Sequence, residues 1–318
     1  MRAVAVRTPG ARPELMDLPE PRPGPGEILV EVGAASVNPL DLGIAEGHFE
    51  GRLPHRYPLV LGVDGAGRVT AVGEGVRRFG VGDTVHGQLF RTPLGYGTFA
   101  EQVVVPEAPD LGAVQRIPDG VSVEVAAAIP TAGMTALGAM DAIAPRSGQS
   151  VLIVGATGGV GSLAVQLAAA RGAEVIATAR PGAEKWIRAL GAAETLDHTA
   201  GGVAERLRRI RPAGVHGVLD LTRDPTGFAA WAEQVRDGGT ALSATFTASP
   251  DLLSSTRITV RNYEMEDKPE LLVRITAEAA AGRITVPIQR TVSLSEAPAV
   301  LAPNSAGGTR GKTVIRIR

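Results

Sequence analysis

The chain contains 318 residues, with 32 Lys and Arg against 33 Asp and Glu, so its formal net charge is −1. At roughly 100–200 residues per domain this length predicts two domains, and the balanced charge argues against a nucleic-acid binder. The absence of Cys excludes disulfides, thiolate zinc sites and cysteine nucleophiles.

Residues 1–121 have the pattern of an antiparallel β domain with few helices. Short valine-rich segments alternate with Gly, Pro and Asp, which is typical of strands joined by turns. The proline-rich loop Pro19–Pro25 leaves no room for a helix there. The predicted strands are Val4–Val6, Ile28–Val32, Gly65–Val72, Asp83–Gln88 and Phe99–Val105.

The segment Ala126–Ala144 is the longest charge-poor stretch, with Asp141 as its single charge. It consists mostly of Ala, Gly and Thr and contains Pro130, which favours a closely packed buried helix over a membrane span. The first residues have no secretory signal pattern. We therefore expect a cytoplasmic protein that does not contact membranes.

From residue 122 the pattern changes to apolar runs that alternate with helical segments. The run Val151–Val154 predicts a strand buried on both faces, and a helix is predicted over Val160–Arg171. Such alternation indicates βαβ units and a doubly wound parallel sheet. Further strands are predicted at Glu174–Ala179, Glu194–Leu196, Val218–Leu221 and Thr240–Ala244, with helices at Ala183–Leu190, Val203–Ile210 and Pro225–Val235.

The C-terminal part is too short to form a domain of its own. It contains an amphipathic helix, Pro269–Ala281, and a last strand, Thr313–Ile317. We expect it to rejoin the N-terminal β domain. The predicted domains are thus 1–121 with 262–318, and 122–261.

The glycine-rich turn Gly155–Gly161 follows the strand Val151–Val154 and begins the next helix. Without Cβ atoms such a turn closes tightly and admits a pyrophosphate, which the N–H groups of the helix then bind. The usual Gly-x-Gly-x-x-Gly is absent, because Ala156 occupies its first position. The surrounding strand–turn–helix pattern nevertheless predicts dinucleotide binding.

The end of the next strand indicates which cofactor binds. NAD sites usually have Asp or Glu there, whereas this strand ends in Thr178-Ala179-Arg180. Arg180 is suited to a 2′-phosphate, with Lys185 assisting. This favours NADPH over NADH, although Arg180 as an ordinary exposed arginine remains an alternative.

Taken together, the motifs resemble those of the zinc-independent quinone oxidoreductases, the zeta-crystallin-like group of the medium-chain dehydrogenase/reductase superfamily. The resemblance covers nearly the whole chain. It implies a GroES-like β domain interrupted by a Rossmann domain, with NADPH as cofactor and quinones or α,β-unsaturated carbonyls as substrates, often in a homodimer. The motifs are Val37–Asp41, Gly62–Gly67, Val81–Asp83, Pro130–Ala136, Gly155–Gly161 and Gly311–Val314.

The resemblance also implies the cofactor-binding residues. It places Asn38 and Thr135 near the nicotinamide, has Lys312 close over the cofactor, and puts Thr178 beside the 2′-phosphate. The full set is Asn38, Thr135, Gly155, Thr157, Gly158, Gly159, Val160, Thr178, Arg180, Lys185, Leu221, Thr222, Ala244, Phe246 and Lys312.

No metal site is expected. The resemblance puts Asn38 at the position of the first cysteine ligand of the zinc-dependent relatives, and Gly62-Val63-Asp64 at their Gly-His-Glu. Zinc prefers Cys and His, and an alcohol cannot be polarised for oxidation in the same way without that Lewis acid.

The proton donor is not identified. Several relatives have a Tyr where this chain has Leu42-Gly43-Ile44, and Gly43 would then open the substrate pocket. Asp64 is a weak catalytic candidate, with bracing of a turn as the alternative, and Asp41 is expected to cap a helix.

Three functions remain open at this stage. The first is an NADPH-dependent, zinc-free reductase of quinones or α,β-unsaturated carbonyls that acts by hydride transfer. The second is an enoyl or alkene reductase of a biosynthetic pathway. The third is an NADPH-binding protein with a structural or sensing role and little turnover.

Overall fold

The computed structural model describes residues 1–265, 268–301 and 309–318. Within them the chain forms two compact units. Unit 1 comprises 1–134, 268–301 and 312–318, and unit 2 comprises 135–265 and 309–311.

The strands and helices are numbered in chain order. The strands are β1 (Arg2–Val6), β2 (Glu14–Asp17), β3 (Glu27–Ser36), β4 (Leu59–Val60), β5 (Asp64–Val72), β6 (Thr84–Gln88), β7 (Gln102–Pro106), β8 (Val114–Arg116), β9 (Ser150–Val154), β10 (Glu174–Thr178), β11 (Ala192–Leu196), β12 (Val215–Asp220), β13 (Val235–Ser243), β14 (Thr259–Asn262), β15 (Ile288–Ser293) and β16 (Lys312–Arg316). The helices are α1 (Pro39–Ala45), α2 (Val123–Ala128), α3 (Pro130–Ile143), α4 (Gly159–Ala170), α5 (Glu184–Ala189), α6 (Val203–Ile210), α7 (Pro225–Glu233), α8 (Pro250–Leu253), α9 (Pro269–Ala280) and α10 (Ala297–Leu301).

Unit 1 is the GroES-like part, built on two sheets. The larger has the order β15-β16-β3-β5-β6-β8, with β7 also paired to β3, and the smaller has the order β2-β1-β4. Along most of β3 buried and partly exposed residues alternate, as expected for a strand with one face on a core. The C-terminal strand β16 pairs antiparallel with β3, so the end of the chain rejoins the β domain as expected.

The predicted helix Ala126–Ala144 is two helices, α2 and α3. The break falls at Ile129 and Pro130 because proline has no N–H to continue the hydrogen-bond ladder. Helix α2 packs on β3, β5, β6 and β16. It therefore belongs to unit 1, and the units divide after residue 134 within α3, whereas the sequence analysis placed the boundary after residue 121.

A buried histidine holds the C-terminal helix α9 against the β domain. His86 Nδ1 lies 2.9 Å from the carbonyl oxygen of Ala126, so this nitrogen has the proton. His86 Nε2 accepts from Gln115 Nε2 at 3.0 Å and contacts Thr276 Oγ1 at 3.3 Å. Burial lowers the pKa of His86 to about 4, so the ring is neutral at physiological pH.

Unit 2 is a Rossmann fold. Its parallel sheet has the strand order β11-β10-β9-β12-β13-β14. The order reverses between β9 and β12, and in such sheets ligands bind beyond the carboxyl ends of the strands at this reversal. Every residue of β9 is buried, in agreement with its continuous apolar sequence.

The sequence analysis did not predict several short elements: β2, β4, β8, β15, α8 and α10. All of these have fewer than seven residues, too few for a clear hydrophobic period. Among the described residues no helix has both the length and the apolar character that crossing a membrane requires.

Candidate functional site

The turn after β9 has the backbone that a pyrophosphate requires. Gly155 has φ of 77°, which favours glycine. A Cβ on Gly161 would lie 2.3 Å from the carbonyl oxygen of Gly155, so only glycine lets α4 start this close to the turn. Helix α4 begins at Gly159, and its N-cap, Gly158, has no side chain to satisfy the first N–H groups.

The space beside Gly158 is bordered by Gly155 and Thr309. A Cβ there would meet nothing nearer than 3.6 Å. The amide of Gly311 donates to the carbonyl oxygen of Thr157 at 2.8 Å, so the residue before β16 borders the same turn. The N-terminal N–H groups of α4, with the partial positive charge of the helix, form a site for an anion.

The second Rossmann strand, β10, ends in residues with two different roles. Thr178 is buried, and its Oγ1 accepts a hydrogen bond from the amide of Gly155 at 3.0 Å, so it braces the glycine turn. Arg180 and Lys185 are exposed. Arg310, which the sequence analysis did not single out, donates from Nη2 to the carbonyl oxygen of Gly182 at 2.9 Å. Three basic side chains therefore lie at or near the end of β10.

The ends of β12 and β13 meet beside the glycine turn. A Cβ on Gly155 would lie 3.2 Å from Cβ of Leu221. Thr245 Oγ1 donates to the carbonyl oxygen of Thr222, which ties the two strand ends together. Ala244 is half-buried, whereas Phe246, with φ of 61°, is 57% exposed. Of the predicted cofactor residues in unit 2, Thr135 alone lies in a helix interior, at a half-buried position of α3.

Asp220, the last residue of β12, is a buried carboxylate that the sequence analysis overlooked. Its Oδ1 accepts from the amide and the Oγ1 of Thr222 at 2.7 and 2.6 Å. Its Oδ2 is buried and has no partner among the described residues. Burial raises the pKa of Asp220 to about 6, with a smaller contribution from the charge of Asp224. The hydrogen bonds from Thr222 act in the opposite direction and lower this pKa.

Unit 1 contains a buried polar network centred on Asn38, which lies between β3 and α1. Its Nδ2 donates to Asp64 Oδ2 at 2.9 Å, and its Oδ1 accepts from Lys312 Nζ at 2.5 Å. Lys312 Nζ also donates to the carbonyl oxygen of Val37 at 3.0 Å. Both ends of the Asn38 amide are thus engaged, and its orientation is fixed.

Asp64 is saturated with donors in this network. Thr131 Oγ1 donates to its Oδ1 at 2.7 Å, and the amide of Thr131 lies 3.1 Å from its Oδ2. Burial raises the pKa of Asp64. This shift is opposed by the nearby charge of Lys312 and by the hydrogen bonds from Thr131 and Asn38. This geometry favours a structural role for Asp64, as a hydrogen-bond acceptor, over a catalytic one.

Asp41 caps α1, as expected. Its Oδ2 accepts from the amide of Asn38 at 2.7 Å and its Oδ1 from the amide of Val63 at 2.9 Å. Burial raises the pKa of Asp41 to about 7, with a smaller contribution from Asp64. The same burial lowers the pKa of Lys312, and both carboxylates oppose that shift.

The space beside Gly43 is filled. A Cβ on Gly43 would lie 3.3 Å from Nδ1 of His48 and 3.9 Å from Cε2 of Phe49. The expectation that Gly43 opens a substrate pocket is therefore wrong: the volume that a larger side chain would use belongs to its own neighbours.

Within the described residues no group of three or more His, Asp or Glu side chains is arranged to hold a metal ion. Asn38 and Asp64, the positions that the resemblance aligns with zinc ligands, are hydrogen-bonded to each other. The ammonium of Lys312 is held on the Asn38 side chain.

Comparison with known proteins agrees with both units. The profile of the alcohol dehydrogenase GroES-like domain matches residues 24–119, and that of the zinc-binding dehydrogenase family matches residues 159–267. The mitochondrial NAD(P)H oxidoreductase RTN4IP1 of Mus musculus is 29% identical over 338 aligned positions, which cover 92% of this chain and 82% of that protein.

Solved structures match the whole chain. The quinone oxidoreductase of Coxiella burnetii superposes with a TM-score of 0.88 at 27% identity, covering 100% of this chain and 99% of its own. An NAD-dependent alcohol dehydrogenase gives 0.86 at 31% identity and 100% of both chains. A mycobacterial protein solved with NADPH gives 0.85 at 26% identity and 100% of both.

The matches extend over both units and include quinone oxidoreductases. The chain is a member of the medium-chain dehydrogenase/reductase superfamily, with a GroES-like domain and a Rossmann domain.

Proposed function

We propose that the chain is an NADPH-dependent, zinc-independent reductase of quinones or α,β-unsaturated carbonyls. The observation that carries the proposal is the Asn38–Asp64 hydrogen bond with Lys312 on the same amide. A saturated amide–carboxylate–ammonium network stands at the positions aligned with zinc ligands. Without a Lewis acid, an acceptor that is already electrophilic is favoured over an alcohol.

The glycine turn and the cations of unit 2 fit the phosphates of NADPH. The N–H groups at the start of α4 are suited to the pyrophosphate. Arg180 and Lys185 have no side-chain partner among the described residues and lie two and seven residues after the end of β10, so they are available to a 2′-phosphate. Arg310 adds a third basic group through its contact with Gly182.

The bound nicotinamide supplies the hydride, and the protein supplies position and exclusion of water. The reduced acceptor, an enolate or a hydroquinone anion, then needs a proton. Asp64 is committed to Asn38 and Thr131, and the donor seen in some relatives, a Tyr near Gly43, is absent. We therefore propose that water protonates the reduced acceptor. This suits quinones better than enones, because a quinone does not need a stereospecific proton donor.

The first test is loss of NADPH absorbance with benzoquinones, naphthoquinones, linear enones and an acyl-thioester enone, with NADH in parallel. We expect turnover with NADPH and a quinone that is unchanged after treatment with a zinc chelator. NADP⁺-dependent alcohol oxidation that the chelator abolishes would contradict the zinc-free assignment. Tight NADPH binding without any turnover would favour the non-catalytic role.

The cofactor preference is tested by Arg180→Ser. An exposed, charge-assisted contact with a phosphate contributes about 1.4 kcal/mol, so kcat/KM for NADPH should fall roughly tenfold while that for NADH stays constant. Arg188→Ser is the matched control, because Arg188 lies on α5 and bonds instead with Glu194 and the carbonyl oxygen of Ala193. Equal losses with both cofactors would contradict the 2′-phosphate role.

A homodimer is proposed as the assembly. Strand β14 lies at the edge of the parallel sheet and pairs with β13 on one side, and an edge of this kind is a template for pairing with another chain. Light scattering should give about twice the chain mass of 32.8 kDa. A monomer at micromolar concentration would rule out a stable dimer.

A further inference from the structure

Unit 1 contains a cavity away from the polar network. A cavity of about 290 Å³ lies between the segment around Pro19, the loop around Tyr96 and strand β7, near the lower end of the usual size for ligand pockets. None of its lining residues belongs to the Asn38–Asp64–Lys312 network or to unit 2, so the site is separate from the groups proposed to act on NADPH.

The lining includes a tyrosine whose ring is in contact with two arginines. The Cζ of Arg91 lies 4.0 Å from the centroid of the Tyr96 ring, and that of Arg56 lies 4.9 Å from it. Arg91 is neutralised by an ion pair with Glu27. Arg56 is exposed and has no acidic or hydrogen-bonding side-chain partner among the described residues. Its charge is therefore available to a ligand.

The remaining lining is suited to a flat organic ring. Proline, leucine and valine side chains supply apolar walls, while Arg22 adds a second unpaired cation and Glu20 an exposed carboxylate. Gln102 Oε1 is buried without a donor within the described part of the chain, although a buried acceptor normally finds one. The apolar lining residues include Met1, Leu18, Pro19, Pro58, Val60 and Val103.

We propose that this cavity binds a small planar aromatic carboxylate that has a hydrogen-bond donor on its ring. The carboxylate pairs with Arg56, the ring lies against the proline and valine side chains, and the donor satisfies Gln102 Oε1. A guanidinium is suited to this ligand because its fork matches a carboxylate and its plane stacks on an aromatic ring.

The test uses 4-hydroxybenzoate as probe, titrated into the full-length protein and followed by amide NMR shifts. For a ligand of this size, Kd on the order of 0.1 mM is expected. Shifts should concentrate at Gly95–Gly97 and Gln102–Val104. Benzoate, which lacks the donor, and 4-hydroxybenzamide, which lacks the charge, should each bind at least threefold more weakly.

Arg56→Gln should weaken 4-hydroxybenzoate binding about tenfold and leave 4-hydroxybenzamide unaffected. Arg52→Gln is the matched control, since Arg52 is exposed nearby but faces Phe49 outside the cavity. Three outcomes would overturn the proposal. They are NMR shifts at Gly155–Gly161 instead of at the cavity, equal affinity of Arg56→Gln and Arg52→Gln for 4-hydroxybenzoate, or no shifts at a ligand concentration ten times the expected Kd. None of these outcomes depends on turnover with NADPH.

Discussion

Two buried aspartates at strand ends show how differently the two units treat a carboxylate. In unit 1, Asp64 begins β5, and both its oxygens accept hydrogen bonds from Asn38 and Thr131. In unit 2, Asp220 ends β12 with both donors on Oδ1, while Oδ2 has none among the described residues. Burial raises the pKa of both carboxyls.

The difference separates a closed network from an open one. Lys312 supplies a cation near Asp64, whereas the charged group that shifts the pKa of Asp220 is another carboxylate, Asp224. Buried charges are tolerated when they are paired and hydrogen-bonded, and otherwise they take up a proton. The carboxylates of unit 1 therefore have a nearby cation, whereas Asp220 depends on the neutral donors of Thr222.

The largest effect is expected from Lys312→Met. It leaves two buried carboxylates, Asp41 and Asp64, without the nearby cation, and breaking such a buried arrangement costs about 3–5 kcal/mol. The loss should grow from pH 5 to pH 8, since the carboxyl pKa values, already raised, rise further without Lys312. Urea unfolding measures it, with Arg290→Met as an exposed control on β15. A loss of unfolding free energy below about 1 kcal/mol would show that the two carboxylates do not depend on the charge of Lys312.

A second comparison uses the amide isosteres. Asp220→Asn removes a carboxyl whose folded-state pKa, about 6, exceeds its ordinary 3.8. A raised pKa stabilises the protein below about pH 4, and this contribution is lost as the pH rises to about 6. Relative to wild type, the variant should therefore gain about 3 kcal/mol between pH 4 and pH 7. A constant difference across this range would show that Asp220 titrates normally.

Asp64→Asn should behave in the opposite way. Its new –NH₂ group would face donors from Asn38 or Thr131, and a mismatched buried group costs about 1–3 kcal/mol. The variant should therefore be less stable than wild type at neutral pH, where Asp220→Asn is at its most favourable. Variants that shift stability in the same direction would remove the distinction between the two carboxylates.

Much of unit 2 was predictable because its signals are local. The apolar run before Gly155 and the glycines after it specify a strand, a turn and a helix within a dozen residues. The strand order of the sheet then follows from the repeated βαβ pattern. Asp220 was missed because its open oxygen is a property of packing, which a strand-end aspartate does not reveal in sequence.

The network of unit 1 was only partly predictable. Asn38, Pro39 and Asp41 have the spacing of a helix start, so the cap on α1 was expected. The contact of Lys312 with Asn38 joins residues 274 apart, and that of Arg310 with Gly182 joins residues 128 apart. No periodicity encodes such pairs. Which residues of this set contact the cofactor stays a prediction.

The smallest expected effect comes from a matched pair of Thr→Val substitutions, one at each carboxylate. Thr131→Val removes the Oγ1 donor of Asp64 and the acceptor of Gln88 Nε2, which lies 2.9 Å away. Its cost should be about 2 kcal/mol because two buried groups lose a partner. Thr222→Val removes one of two donors to Asp220 but keeps the amide, so about 1 kcal/mol is expected.

The two substitutions should differ in their dependence on pH. Acidification below pH 4 should reduce the cost of Thr222→Val, because a protonated Asp220 needs fewer donors. The cost of Thr131→Val, in the network of unit 1, should fall less. If Thr222→Val costs the same at neutral pH and below pH 4, the unpaired Oδ2 of Asp220 has no energetic consequence.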